Sequence, residues 1–189
     1  MSNNPESTTI LILFANPAST PRLRLDEEVR KIDEVFRRSN NRERFMLEIK
    51  CAVRARDLFQ AILDYQPQIV HVSGHCAGED GILLEDDWGQ PTVLNTDALI
   101  EAFSTKGVEC VVLNACFSQA QADAISQCVN YAIGINREIG DKVAIDFATG
   151  FYEVFADLQD VESAFELACS RLINDGEHLT PVLKKRMLQ

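Results

Sequence analysis

Two short runs constrain the fold most: IVHVSGHC at 69–76 and CVVLNAC at 110–116. Each opens with a β-rich apolar stretch of one strand's length, without the polar alternation of a half-exposed strand, as expected for strands buried on both faces of a parallel sheet. A third run, TILILFA at 9–15, has the same character and stops at Asn16 and Pro17, because proline supplies no donor to continue a ladder. Between these runs the periodicity changes. Leu25, Val29, Ile32 and Phe36 recur at helical spacing behind Asp26, Glu27 and Glu28, acids that suit the positive end of a helix. Further helices are expected at about 56–65, 96–103, 119–128, 141–155 and 161–174, with strands at 45–51 and 131–135. GILLEDDWGQPTVLN reads as a hairpin around an Asp-Trp-Gly turn, and Asn95 or Thr96 can cap the helix that follows. Strands alternating with helices predict an α/β domain with a mainly parallel central sheet and helices on both faces.

The chain of 189 residues fits one domain, with 46% hydrophobic and 25% charged residues. Residues 1–8 are expected to be disordered, residues 9–175 to form the domain, and residues 176–189 to be a C-terminal tail that packs on the domain or joins a neighbour. No stretch of ~18 apolar residues escapes charge, and MSNNPESTTI has no basic region before an apolar core, so no membrane association is expected and the expected location is cytoplasmic. Six cysteines in a chain read this way are expected to be reduced. Cys51, Cys110, Cys128 and Cys169 lie in apolar segments as small hydrophobes, whereas Cys76 and Cys116 stand at segment ends. A net charge of -11 argues against nucleic acid and suits a basic protein or peptide partner.

Open α/β sheets collect ligands beyond the carboxyl ends of their strands. Two such ends carry reactive groups here, His75 after IVHVSG and Cys116 after VVLNA. A cysteine nucleophile needs a base adjacent in space rather than in sequence, and two neighbouring strands would supply one. His71 falls inside its strand and reads as a core histidine with a hydrogen bond. A zinc site drawn from His71, His75, Cys76 and Cys116 is disfavoured, since histidines four apart share a face only on a helix and no Cys-x-x-Cys pair is present. The acids of GEDGILLEDD lack EF-hand spacing and read as a solvated hairpin.

HVSGHC followed by VVLNACFS resembles the CHAT domain of the caspase-like cysteine proteases, the clan that also holds caspases, metacaspases and separase. About 40 residues separate His75 from Cys116, similar to the ~50 typical of caspases. ILILFANP with LRLDEEVRKI, YAIGINREIGD, and FYEVF with VESAFELA resemble the family's remaining segments in order. The resemblance implies a caspase-like α/β sandwich without a cofactor. It implies Cys116 as nucleophile, His75 as general base and acid, and the backbone N–H groups of Cys76 and Cys116 as the oxyanion hole. It also implies Asp141 as the acid that receives a basic residue at the scissile position, although Asp141 could equally cap the helix behind it. Where the family usually has glycine after the histidine this chain has Cys76, a substitution costing ~1 kcal/mol or more if the position needs positive φ. The implied function is a cysteine endopeptidase acting on a protein or peptide substrate, with a separate regulatory or effector protein. The alternative is a CHAT-fold interaction module with little catalysis.

Overall fold

The computed structural model describes residues 7–105 and 107–186. In chain order the elements are β1 (Thr8–Phe14), α1 (Leu25–Arg38), β2 (Phe45–Lys50), α2 (Ala55–Tyr65), β3 (Ile69–Ser73), β4 (His75–Cys76), β5 (Gly81–Glu85), β6 (Pro91–Asn95), α3 (Thr96–Phe103), β7 (Cys110–Asn114), α4 (Gln119–Ile125), β8 (Tyr131–Ile135), α5 (Asp141–Leu158), α6 (Val161–Arg171) and β9 (Pro181–Lys185). The main sheet runs β2-β1-β3-β7-β8-β9, parallel except for β9. A small antiparallel sheet, β4-β5-β6, hangs from the end of β3.

Side chains alternate between the two faces of each strand, and the core divides accordingly. Leu11, Leu13, Val70, Val72, Val111 and Leu113 pack against α2, α3 and α4. Ile10, Ile12, Ile69 and Val112 pack against α1, α5 and α6, where Phe147, Phe151 and Tyr152 are fully buried. Helix starts follow the local chemistry. The Ala98 N–H donates to Asn95 Oδ1 at 2.9 Å at the head of α3, and the Ser163 N–H donates to Asp160 Oδ2 at 2.8 Å at the head of α6.

Three expectations change. Of residues 1–8, the first six lie outside the described residues, and Thr8 opens β1. Within the expected tail, β9 pairs antiparallel with β8 and completes one sheet edge, so the domain extends past residue 175, while residues 187–189 lie outside the described residues. The alternating pattern of β9 is short and half-exposed, so it resembles a tail in sequence. Cys51 is exposed rather than buried because it follows β2, the opposite edge strand, while Cys110 is buried and all six cysteines are free.

Candidate active site

β3 and β7 are parallel neighbours, and their last paired residues are Ser73 and Asn114. His75 and Cys116 each stand two residues beyond this pair, so the strand register delivers both to the same rim of the sheet, on strands ~4.8 Å apart. The loops they enter touch: Cys76 Sγ lies 3.9 Å from Phe117 O and 3.7 Å from Gln121 Oε1. Gln121, fully buried on α4, donates from Nε2 to Gly78 O at 2.8 Å and holds the loop after Cys76 against the helix that follows Cys116.

His75 donates from Nε2 to the carbonyl of Pro21 at 2.8 Å. A carbonyl only accepts, so the contact assigns a proton to Nε2 and leaves Nδ1 as the basic nitrogen of the neutral ring. Pro21 belongs to the β1–α1 connection, whose path is fixed by Ala18 N–H to Gly89 O at 2.9 Å and by Asn16, which brackets Leu23. Cys116 Sγ accepts the Ile139 N–H at 3.4 Å and lies 3.6 Å from Ile139 O, which ties the nucleophile candidate to the loop after β8. Phe117, the next residue, has φ of 60° and is half exposed. A bulky side chain in the left-handed region is strained, and such residues cluster at functional sites.

Cys76 is not in the left-handed region, because the non-glycine residues of positive φ are Ala52, Gln66, Phe117 and Gln159. The expected backbone penalty for replacing glycine does not arise, since β4 holds the residue extended against Ile82. Ala77 N–H donates to Gly81 O at 2.8 Å, and hydrogen-bonded and non-bonded pairs alternate in an antiparallel ladder. The Cys76–Ile82 pair is then non-bonded, which leaves the Cys76 N–H outside the ladder. The Cys116 N–H likewise has no hydrogen-bond partner among the described residues. The Cys76 thiol donates toward Gly81 O at 3.0 Å and Gly78 O at 3.2 Å, and burial pushes it up to about 11. That thiol is a poor nucleophile near neutrality.

Asp141 opens α5 but does not cap it. Gly140 occupies the cap position without a side-chain bond, and the Asp141 carboxylate instead takes Arg24 Nε at 2.8 Å and the Arg24 N–H at 3.4 Å. The contact raises Arg24, first through this hydrogen bond and then through Glu27. His71 is fully buried in β3 and reaches Glu28, Ser73 and Tyr152 on the α1 and α5 face of the sheet, away from the rim. Among the described residues no group of three or more His, Cys, Asp or Glu is arranged to hold a metal ion, and no helix is long and apolar enough to cross a membrane.

The fold and the sequence of this chain find counterparts in known proteins. A family model described as CHAT domain matches residues 2–181. The chain belongs to the CHAT domain family. A Roc-COR-CHAT protease from an unknown prokaryotic organism is 26% identical to this CHAT domain over 176 residues, 88% of this chain and 17% of the relative. A probable protease of Gillisia limnaea is 28% identical over 148 residues, 76% of this chain and 26% of the relative. The chain therefore spans about a quarter or less of the length of these curated relatives. Among solved structures, caspase-1 from Spodoptera frugiperda superposes with a TM-score of 0.61 at 10% identity, covering 97% of this chain and 88% of that one. At that identity the likeness concerns the fold, and the expected caspase-like α/β sandwich is the one observed.

The sequence reading missed three contributors to the rim: the Pro21 carbonyl, the Ile139 N–H and the strained Phe117. The first two are backbone groups available from any residue, so no side-chain signal marks them. Phe117 gives no signal either, since its conformation follows from the turn between β7 and α4.

Proposed function

We propose that this CHAT domain is a cysteine endopeptidase that hydrolyses peptide bonds through His75 and Cys116. The observation that carries the reading is the β3–β7 register, with both residues two positions past the Ser73–Asn114 pair. The protease names of the relatives support the same class. His75, oriented by Pro21 O, takes the Cys116 thiol proton on Nδ1. The sulfur attacks the scissile carbonyl carbon, and the N–H groups of Cys76 and Cys116 receive the developing oxyanion. His75 returns the proton to the leaving amine as the C–N bond breaks. Water, deprotonated by His75, then releases the acyl group from sulfur.

Asp141 receives a basic P1 side chain in this reading. Arg24 holds that carboxylate in the free chain, so an incoming lysine or arginine displaces one guanidinium contact with another. A separate regulatory protein that shifts the β1–α1 connection would then control both the Pro21 contact with His75 and access to Asp141.

The test is labelling with an arginine peptide carrying an electrophilic ketone, followed by mass spectrometry. The parent is expected to be modified at Cys116, Cys116→Ala to lose the label, and His75→Ala to label about a hundredfold or more slowly. Absence of Cys116-dependent labelling, also with candidate partner proteins added, would sink the peptidase reading and leave the interaction module.

A further inference from the structure

We propose that Glu28 is a positioning residue for the His75–Cys116 pair, a role that rests on the peptidase reading above. Glu28 lies on α1 in phase with Ile32 and Phe36 and is buried against the sheet. A single carboxylate oxygen, Oε1, collects three donors: Asn114 Nδ2 at 2.7 Å, Ser73 Oγ at 2.8 Å and His71 Nε2 at 3.0 Å. Ser73 and Asn114 are the last paired residues of β3 and β7, and each precedes a candidate catalytic residue by two positions. One oxygen thus sets the separation of the two strand ends at the point where the backbone ladder stops.

The remaining contacts extend the clamp to the other side of the site. Asn114 Nδ2 also donates to Ala144 O at 3.2 Å, on the helix that Asp141 opens. The amide orientation is dictated by Glu28, because reversing it would turn Asn114 Oδ1 toward a carboxylate. That oxygen is buried without a hydrogen-bond partner. The protons also close into one consistent set. The Tyr152 hydroxyl, which burial holds protonated well above its usual range, donates to His71 Nδ1 at 3.1 Å. His71 Nε2–H then faces Glu28 Oε1 and Ser73 Oγ, the latter at 2.9 Å.

Stability alone is a poor reason to keep such a group, since buried ionic groups are often replaceable by apolar ones without loss. The location is what distinguishes it: α1, β3 and β7 meet at this carboxylate, α5 joins through Ala144 O on Asn114, and β3 and β7 lead directly to His75 and Cys116. The clamp fixes the separation of the strand ends that carry imidazole and thiol, and proton transfer between such groups depends steeply on their placement.

The experiment compares the parent with Glu28→Gln, Glu28→Ala, Ser73→Ala and His75→Ala, with folding checked by circular dichroism. The readouts are the pH profile of Cys116 alkylation by iodoacetamide, resolved by mass spectrometry, and kcat and KM on an arginine peptide. Glu28→Gln keeps an acceptor oxygen and is expected to stay within about threefold of the parent. Glu28→Ala is expected to lower kcat about tenfold or more at little changed KM, and to lose the His75-dependent alkylation at neutral pH. Should Glu28→Ala not fold, Ser73→Ala removes one leg of the clamp and is expected to show the same shift about threefold or more in size. A folded Glu28→Ala, or Ser73→Ala, with the parent's profile overturns the clamp alone. A parent profile that His75→Ala leaves unchanged overturns the dyad and the clamp's role with it.

Discussion

Gly74 links Ser73 to His75, and replacing it with alanine probes how rigidly the proposed base is mounted. A Cβ at this position would lie 2.8 Å from Ala15 O and 3.7 Å from Ala15 C. Against an optimal non-bonded separation near ~3.5 Å, the carbonyl must retreat by about 0.7 Å. It has little freedom to do so. Ala15 is buried, and its N–H donates to Ser73 O at 3.2 Å, so the ends of β1 and β3 are tied where the new methyl intrudes. The obstacle is steric, since Gly74 is not among the glycines of positive φ. Overpacking of this kind costs about 1–3 kcal/mol, which in a domain of this size lowers Tm by roughly 2–12 °C. Because the retreat falls at the stem of His75, and a displacement of about 1 Å can cost ~100-fold in rate, the His75-dependent alkylation of Cys116 is expected to fall about tenfold. Thermal melts of Gly74→Ala beside site-resolved alkylation at pH 7 measure both effects. A Tm within about 1 °C of the parent together with an unchanged alkylation rate would refute the reasoning, by showing that the methyl has room.

Cys76→Gly is expected to destabilise the fold by about 1 kcal/mol or more, because glycine adds unfolded-state freedom and the thiol contacts with Gly81 O and Gly78 O are lost. Peptidase activity should stay within about twofold of the parent if only the backbone N–H acts; complete loss in a folded protein would assign the thiol a role. Arg24→Gln frees Asp141 and is expected to lower KM for an arginine peptide about twofold to fivefold without changing it for a norleucine peptide; an unchanged KM for both would remove Asp141 from P1 recognition. Burial pushes the Cys76 thiol up to about 11 and those of Cys110 and Cys169 up to about 12. Unfolded thiols ionise near pH ~8.5, so above that pH the unfolded chain releases protons that the folded one still holds. Stability is therefore expected to fall as pH rises from about 9 toward 11. Urea midpoints at pH 8 and 10.5 check the sign, with a smaller fall in Cys169→Ala; an equal fall would assign the loss to other groups.

Much of this architecture is legible from one dimension. The uninterrupted runs at 9–15, 69–73 and 110–114 specify strands that must be covered on both faces, and the intervening periodicity supplies the covers. Polar residues at the strand ends mark His75 and Cys116, and the strand position of His71 already separates it from them. Glu28 shows where such reading stops. In sequence it is one of three acids at a helix start, a position that the helix dipole explains adequately. Its equal phase with Ile32 and Phe36 is visible, but not what waits on the sheet opposite. Asp141 is a similar case: capping and recognition of a basic residue make the same demand on sequence, and the absence of a side-chain cap and the ion pair with Arg24, 117 positions away, emerge only in the structure. Local pattern fixes which segments are strands and helices because those choices depend on neighbours a few residues away. The pairing of Ser73 with Asn114, the carbonyl on His75, the N–H on Cys116 and the clamp at Glu28 depend on which distant backbones become adjacent, and tertiary packing alone decides that.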